Sequence, residues 1–183
     1  MRLLLVCLAD AHKERFKLRH ETDDIHKEIE NRSMILTLTP DDDPDLPDLL
    51  STLGNAHTAR FWCLGDEDDM EKAIEYKSIA LELMPENNPD LARQLVNLAT
   101  SHRVRFERLG ELPDIGKAIE YNLRAVAITA EDDPNFPDWQ AELGKSHSYR
   151  FGSQGELEDL KQAIAYETRA LAMTPDGHPH LPN

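Results

Sequence analysis

Apolar and polar positions along this chain follow a three-and-four-residue rhythm, and the rhythm itself recurs every 45 residues. Leu50, Leu53, His57, Phe61 and Leu64 fall on one helical face. Gly65 and Asp66 then interrupt the pattern, as a helix stop does. Met70, Ala73, Ile74, Lys77, Ala80 and Leu81 make a second stripe, closed by Pro85. Lys77 is the polar exception and is expected to snorkel. Asp45 stands where a cap is needed, Pro47 fits a first helical turn, and Asp68 with Glu71 has capping-box spacing. The pattern predicts a pair of helices per 45 residues.

The offset holds along the whole chain. Phe16, Phe61, Phe106 and Phe151 are spaced by it, as are Arg15, Arg60, Arg105 and Arg150. So are His12, His57, His102 and His147, and Leu8, Leu53, Leu98 and Leu143. Pro44, Pro89, Pro134 and Pro179 follow, then Ile29, Ile74, Ile119 and Ile164, with Ala73, Ala118 and Ala163 beside them. A hairpin of this size cannot bury its apolar face alone, so hairpins must stack. The expected fold is all-α: an α-solenoid, a right-handed superhelix of about four helical hairpins. One array is expected over residues 1–178, with units 1–43, 44–88, 89–133 and 134–178. Residues 179–183 read as the start of an incomplete fifth unit.

The unit resembles the tetratricopeptide (TPR) repeat. Leu53-Gly54 and Leu143-Gly144 match its Leu-Gly pair, and Leu98-Ala99 nearly does. Ala73-Ile74-Glu75-Tyr76 through Ala80-Leu81-Glu82-Leu83 is similar to its second helix, with Pro85 as the terminal proline; Ala163, Ala170 and Pro175 repeat this. Departures are His57, where an aromatic is usual, and a unit about eleven residues longer than the usual 34. The extra length resembles the long TPR arrays that accompany CHAT or NB-ARC domains. In a TPR array the first helices line a concave groove. The resemblance therefore implies a scaffold that binds a peptide or partner surface in that groove, with Asn55, Arg93, Asn97, Thr100, Arg103, Lys145 and Tyr149 as groove residues. Asp48, Ser51, Thr58, Val96, Asp138, Ala141 and Ser148 are carried over to the same face. Asn55 and Asn97 match asparagines of the carboxylate-clamp TPRs, but Ser51, Asp138 and Glu142 replace basic clamp residues, so no clamp is expected. Arg93, Arg103 and Lys145 form a locally basic strip suited to an acidic or phosphorylated segment. An alternative is the regulatory repeat region of a larger CHAT- or NB-ARC-type signalling protein.

Composition narrows the partners. Thirty-five acidic residues against 20 basic ones give a net charge of −15, which repels nucleic acid and anionic membrane surfaces. Cys7 and Cys63 fall at different positions of the unit and form no metal or disulfide motif, as suits a cytoplasmic protein. The start, Met1 to Ala11, loosely imitates a secretory leader, but Leu8, His12, Arg15 and Phe16 already keep repeat register, so it reads as the first helix.

Candidate chemistry is sparse. A histidine-dependent metal protein or enzyme is the rival reading. Yet equivalent histidines of stacked hairpins stand roughly 10 Å apart, while ligands sit ~2 Å from a metal. Each histidine is expected to fill an aromatic slot and bond a neighbour, and His178 with His180 makes only a two-residue pair. Each arginine is expected to serve a helix end or to pair with carboxylates of the next unit. The acidic runs at 41–43, 67–69 and 131–133 read as solvated turns rather than calcium loops. No nucleophile or phosphate-loop motif is present. No catalytic residue, metal or cofactor is therefore expected. Neither end shows a polar capping helix, so apolar faces around Ile164 and Leu171 are expected to be exposed and open to self-association, or to continue into a longer array.

Overall fold

The computed structural model describes residues 1–174. Pro175, His178, Pro179, His180 and the expected fifth unit lie outside them. The described residues form eight helices: α1 (Arg2–Arg19), α2 (Thr22–Thr37), α3 (Leu46–Leu64), α4 (Glu67–Leu83), α5 (Leu91–Leu109), α6 (Leu112–Ile128), α7 (Phe136–Gln154) and α8 (Leu157–Met173). They pair in order as hairpins. Two compact units result, Met1–Asn88 and Pro89–Asn183.

In the first unit α1 packs on α2, α2 on α3, and α3 on α4. Phe16, Ile25, Ile29, Leu53 and Ala56 form one buried cluster, so Ile29 of the first hairpin meets Leu53 and Ala56 of the second. In the second unit α5 packs on α6, α6 on α7 and α7 on α8, with α5 also touching α7. Ala99, Phe106, Ile115 and Ala118 are its buried cluster.

The turns explain why the hairpins share one geometry. Gly65, Gly110 and Gly155 end α3, α5 and α7 in the left-handed region, at φ 71°, 72° and 72°. Each donates its N–H to the phenylalanine carbonyl four residues back, at 2.7 Å. His20 takes the same place after α1 at φ 55°. The next helix starts two residues later in every case. Its cap differs from the expected one: Asp66, not Asp68, is the N-cap of α4 and accepts from the Asp68 N–H at 3.2 Å. Asp45 occupies the N-cap position of α3 without a side-chain capping bond.

Other expectations need correction. Phe16, Phe61 and Phe106 are buried but Phe151 is only half-buried. Leu53, Leu98 and Leu143 are fully buried, whereas Leu8 is 50% exposed, and Leu64 is exposed too. Lys77 does not snorkel: it is 5% exposed, and its Nζ donates to Thr58 Oγ1 at 3.1 Å. The Leu-Gly pair lets the two helices of a hairpin approach closely. A Cβ on Gly54 would stand 2.9 Å from Lys77 Cγ and 3.0 Å from the Ala73 carbonyl oxygen. On Gly144 it would stand 2.7 Å from Glu167 Cγ.

Candidate functional site

Each hairpin carries the same polar knot where its two helices meet. His57 Nδ1 lies 2.7 Å from Asp69 Oδ1, and Arg60 donates from Nε and Nη2 to the two oxygens of Asp69 at 2.8 and 2.6 Å. His102, Arg105 and Asp114 repeat this in the third hairpin, and His147, Arg150 and Asp159 in the fourth. In the first, His12 and Arg15 hold Asp24. The histidine ring stacks on a tyrosine in three hairpins: on Tyr76 at 5.6 Å, and on Tyr121 and Tyr166 at 5.8 Å each. Asn31 stands in the tyrosine position of the first.

The arginines therefore pair with an aspartate of their own hairpin. The acidic run at 67–69 is only in part a solvated turn, because Asp69 is buried. Sequence reasoning missed this aspartate column, although Asp24, Asp69, Asp114 and Asp159 recur at 45 residues like the others. The spacing also places each aspartate in the first turn of the second helix, where negative charge is favoured.

Electrostatics fits a structural knot. Burial pushes the Asp69 carboxyl up, but the hydrogen bonds from Arg60 and His57 outweigh it and leave it below the usual range. Asp114 behaves alike with Arg105 and His102. Arg15, then His12, hold Asp24 far down. Burial lowers His57 and His102 below the usual imidazole value, against the pull of their aspartates. His57 and His102 are 4% and 1% exposed, so their dyads with aspartate have no access to a substrate. Among the described residues no three His, Cys, Asp or Glu side chains are grouped to hold a metal ion.

Between hairpins the first helices differ at repeat-equivalent positions such as Asn55, Thr100 and Lys145. In the second unit α5 and α7 frame two clefts. One, of about 590 Å³, is lined by Val96, Thr100, Asp138, Trp139, Ala141, Glu142 and Lys145. The other, of about 650 Å³, is lined by Phe106, Glu107, Ser148, Tyr149, Gly152 and Ser153. Arg103 lies beside both, its guanidinium 5.3 Å from the Tyr149 ring centroid.

Thr100, Arg103, Lys145 and Tyr149 thus come together. Arg93 and Asn97 share α5 but line neither cleft, and Asn55 is exposed on α3 of the other unit. Ser51 is buried rather than on the groove face. Every cation of the expected basic strip already meets a carboxylate. Arg93 pairs with Asp90 at 2.8 Å, Lys145 with Glu142 at 2.6 Å, and Arg103 with Glu107 and, at 4.0 Å, Glu142.

No protein-family model and no curated relative matches the chain. Among solved structures, a crystal structure of MamA is similar at TM-score 0.54 and 18% identity, covering 90% of this chain and 85% of that one. A second MamA structure reaches TM-score 0.37 at 16% identity, covering 99% of this chain and 98% of that one. BtubC from P. vanneervenii reaches TM-score 0.29 at 17%, covering 100% and 92%. The first of these similarities, with the eight paired helices, shows the fold: this chain is an all-α helical-repeat protein.

Proposed function

We propose that this protein is a non-catalytic interaction scaffold of TPR type, with its four hairpins forming one array over residues 1–178. Its partner is a protein segment laid along the first-helix face of α5 and α7. The observation that carries this reading is the contrast between columns. His, Arg, Asp and Phe recur in every hairpin and are consumed in holding it together. Apart from Phe106, the residues around the α5–α7 clefts change from unit to unit, as a recognition surface on a constant frame does. The close helix approach at Gly54 and Gly144 supports the TPR type. The 45-residue unit favours the long TPR arrays of CHAT- or NB-ARC-type signalling proteins as its relatives.

The ligand we propose is acidic or phosphorylated. Arg103 lies over the Tyr149 ring, and its present acidic partners, Glu107 and Glu142, are side chains that an incoming carboxylate or phosphate can replace. Thr100 and Lys145 contribute from one cleft and Tyr149 from the other. Arg93 and Asn97 extend the contact along α5, and Asn55 holds on α3 the repeat position that Thr100 holds on α5. No described helix is long and apolar enough to cross a membrane. A cytoplasmic setting is part of the same proposal.

The test is a displayed peptide library selected on the wild-type protein, with the recovered peptides titrated against Arg103→Ala and Tyr149→Ala. Enrichment of Asp, Glu or phosphoserine, with tenfold or greater loss in both variants, is the expected outcome (about 1.4 kcal/mol). Selected peptides that are basic, or that bind both variants as well as wild type, would overturn it.

A further inference from the structure

Two exposed apolar faces of this chain are the two halves of a junction that the chain already closes inside each unit. Within the first unit, Ile29 of α2 is 8% exposed because it packs with Leu53 and Ala56 of α3. In the second unit α6 meets α7, with Ile119 5% and Leu143 0% exposed. Ile164 holds the same position in α8, one repeat further on, yet it is 58% exposed. It belongs to a stripe with Leu157 and Leu171, 67% and 61% exposed, at seven-residue steps along one helix face. On α1 the counterparts of Leu53 and Ala56 are Leu8 and Ala11. Leu8 is 50% exposed, Ala11 is exposed, and Leu4 beside them is 69% exposed.

From this register we infer that a second copy of the chain covers the α8 face, presenting its own α1. Ile164 of one copy seats against Leu8 and Ala11 of the next, as Ile29 seats against Leu53 and Ala56. Charge does not oppose the pairing. On a chain of net charge −15, α1 carries five basic residues against two acidic ones. On α8, with Asp159 buried against Arg150, Glu158 and Glu167 balance Lys161 and Arg169. The register selects the partner: the complement of the α8 face is a face that this chain itself carries. The contact is heterologous: each copy offers a different face, so pairing leaves one face free at either end and copies add in a row. This inference does not depend on the peptide groove, which lies on other residues.

A heterologous contact has a signature that a symmetric one lacks. Wild type should grow from monomer to dimer and larger species in sedimentation velocity as its concentration rises through about two decades. Leu8→Glu alone and Ile164→Glu alone should each be monomeric, with unchanged helical circular dichroism, since both side chains are solvent-facing. Mixing the two variants should restore a dimer and nothing larger. The Leu8→Glu variant keeps an intact α8, the Ile164→Glu variant keeps an intact α1, and each blocks further growth. A wild type that stays monomeric throughout overturns the inference, as does a mixture of the two variants that stays monomeric.

Discussion

Arg60 reaches nine residues along the chain to clasp both oxygens of Asp69, at 2.8 and 2.6 Å, and so ties the end of α3 to the start of α4. His57 completes the knot at Asp69 Oδ1, 2.7 Å from its Nδ1. Asp69 is 1% exposed, so its charge is tolerable only while both partners remain. Asp69→Ala should lower the unfolding free energy by about 3 kcal/mol, because it leaves the Arg60 cation and a buried imidazole without their acceptor. Urea denaturation reads this directly. Arg60→Ala has a second readout. It removes a nearby positive charge and leaves the carboxylate to His57 alone, so the His57 pKa should rise, as an NMR titration would show. A His57 titration unchanged in Arg60→Ala would mean the three groups do not act together.

Lys77 gives a pH effect of its own. Burial lowers its ammonium to about 8 from an ordinary value near 10.5. A group whose folded pKa is depressed contributes stability that is full above the unfolded value and is lost as pH falls through the folded one. Wild type should therefore gain stability between pH about 8 and about 10, by up to ~3 kcal/mol. Lys77→Met, which keeps the volume and drops the charge, should be flat over that range.

Gly54 faces the same lysine. Gly54→Ala should cost ~1–2 kcal/mol, since the new methyl meets Lys77 Cγ at 2.9 Å and the Ala73 carbonyl at 3.0 Å. The third hairpin has Ala99 and Asn122 at these two positions. Gly54→Ala with Lys77→Asn should recover part of the loss, giving a favourable coupling energy in the double-mutant cycle.

The paired helices were legible because packing imposes a strict period on Phe, Leu, Ala and Gly. Pro47 and Gly65 marked the start and stop of α3 for stereochemical reasons that need no tertiary contact. The knot was half legible. The His and Arg columns stood out, but Asp69 hid among Glu67 and Asp68, whose positions also suit a helix start. Only the return of Asp24, Asp114 and Asp159 at equal spacing distinguishes a buried carboxylate from its solvated neighbours. Burial of Lys77 is illegible for a related reason. A lysine on an apolar stripe normally keeps its ammonium in water, and nothing local shows that Thr58 will receive it. Arg103 was placed on the groove face by resemblance alone, and its Tyr149 stacking partner lies 46 positions away, beyond what periodicity reports.

Gln140 is the one member of its column that is not leucine; Leu5, Leu50 and Leu95 hold the equivalent places. It is fully buried, and neither its side-chain nitrogen nor its oxygen has a hydrogen-bond partner. Desolvating an amide without compensation costs ~1–3 kcal/mol. Gln140→Leu should thus stabilise the protein by ~1–3 kcal/mol in thermal or urea unfolding, with the fold unchanged. A neutral or lowered stability would mean that the amide finds partners in solution, such as an ordered water.

Acid should unfold this protein in two stages. Burial holds His57 and His102 below the ordinary imidazole value. Their contribution is full above the unfolded value of about 6.5 and is lost as pH falls through the folded values. The aspartates form the second stage. Asp24 is depressed chiefly by Arg15 and Asp159 chiefly by Arg150, while Asp69 and Asp114 end below the usual range despite their burial. Their contribution is full above the unfolded value of about 3.9 and is lost as pH falls below it. Both signs agree: the folded state binds fewer protons than the unfolded one, so stability falls as pH drops. The urea midpoint should begin to decline near pH 6.5 and decline more steeply below about 4. Replacing His57 and His102 together by asparagine should lower stability overall but flatten the first stage and leave the second. A midpoint that is level from pH 7 to 5 in wild type would show that these imidazoles accept protons in the folded state as readily as in the unfolded chain.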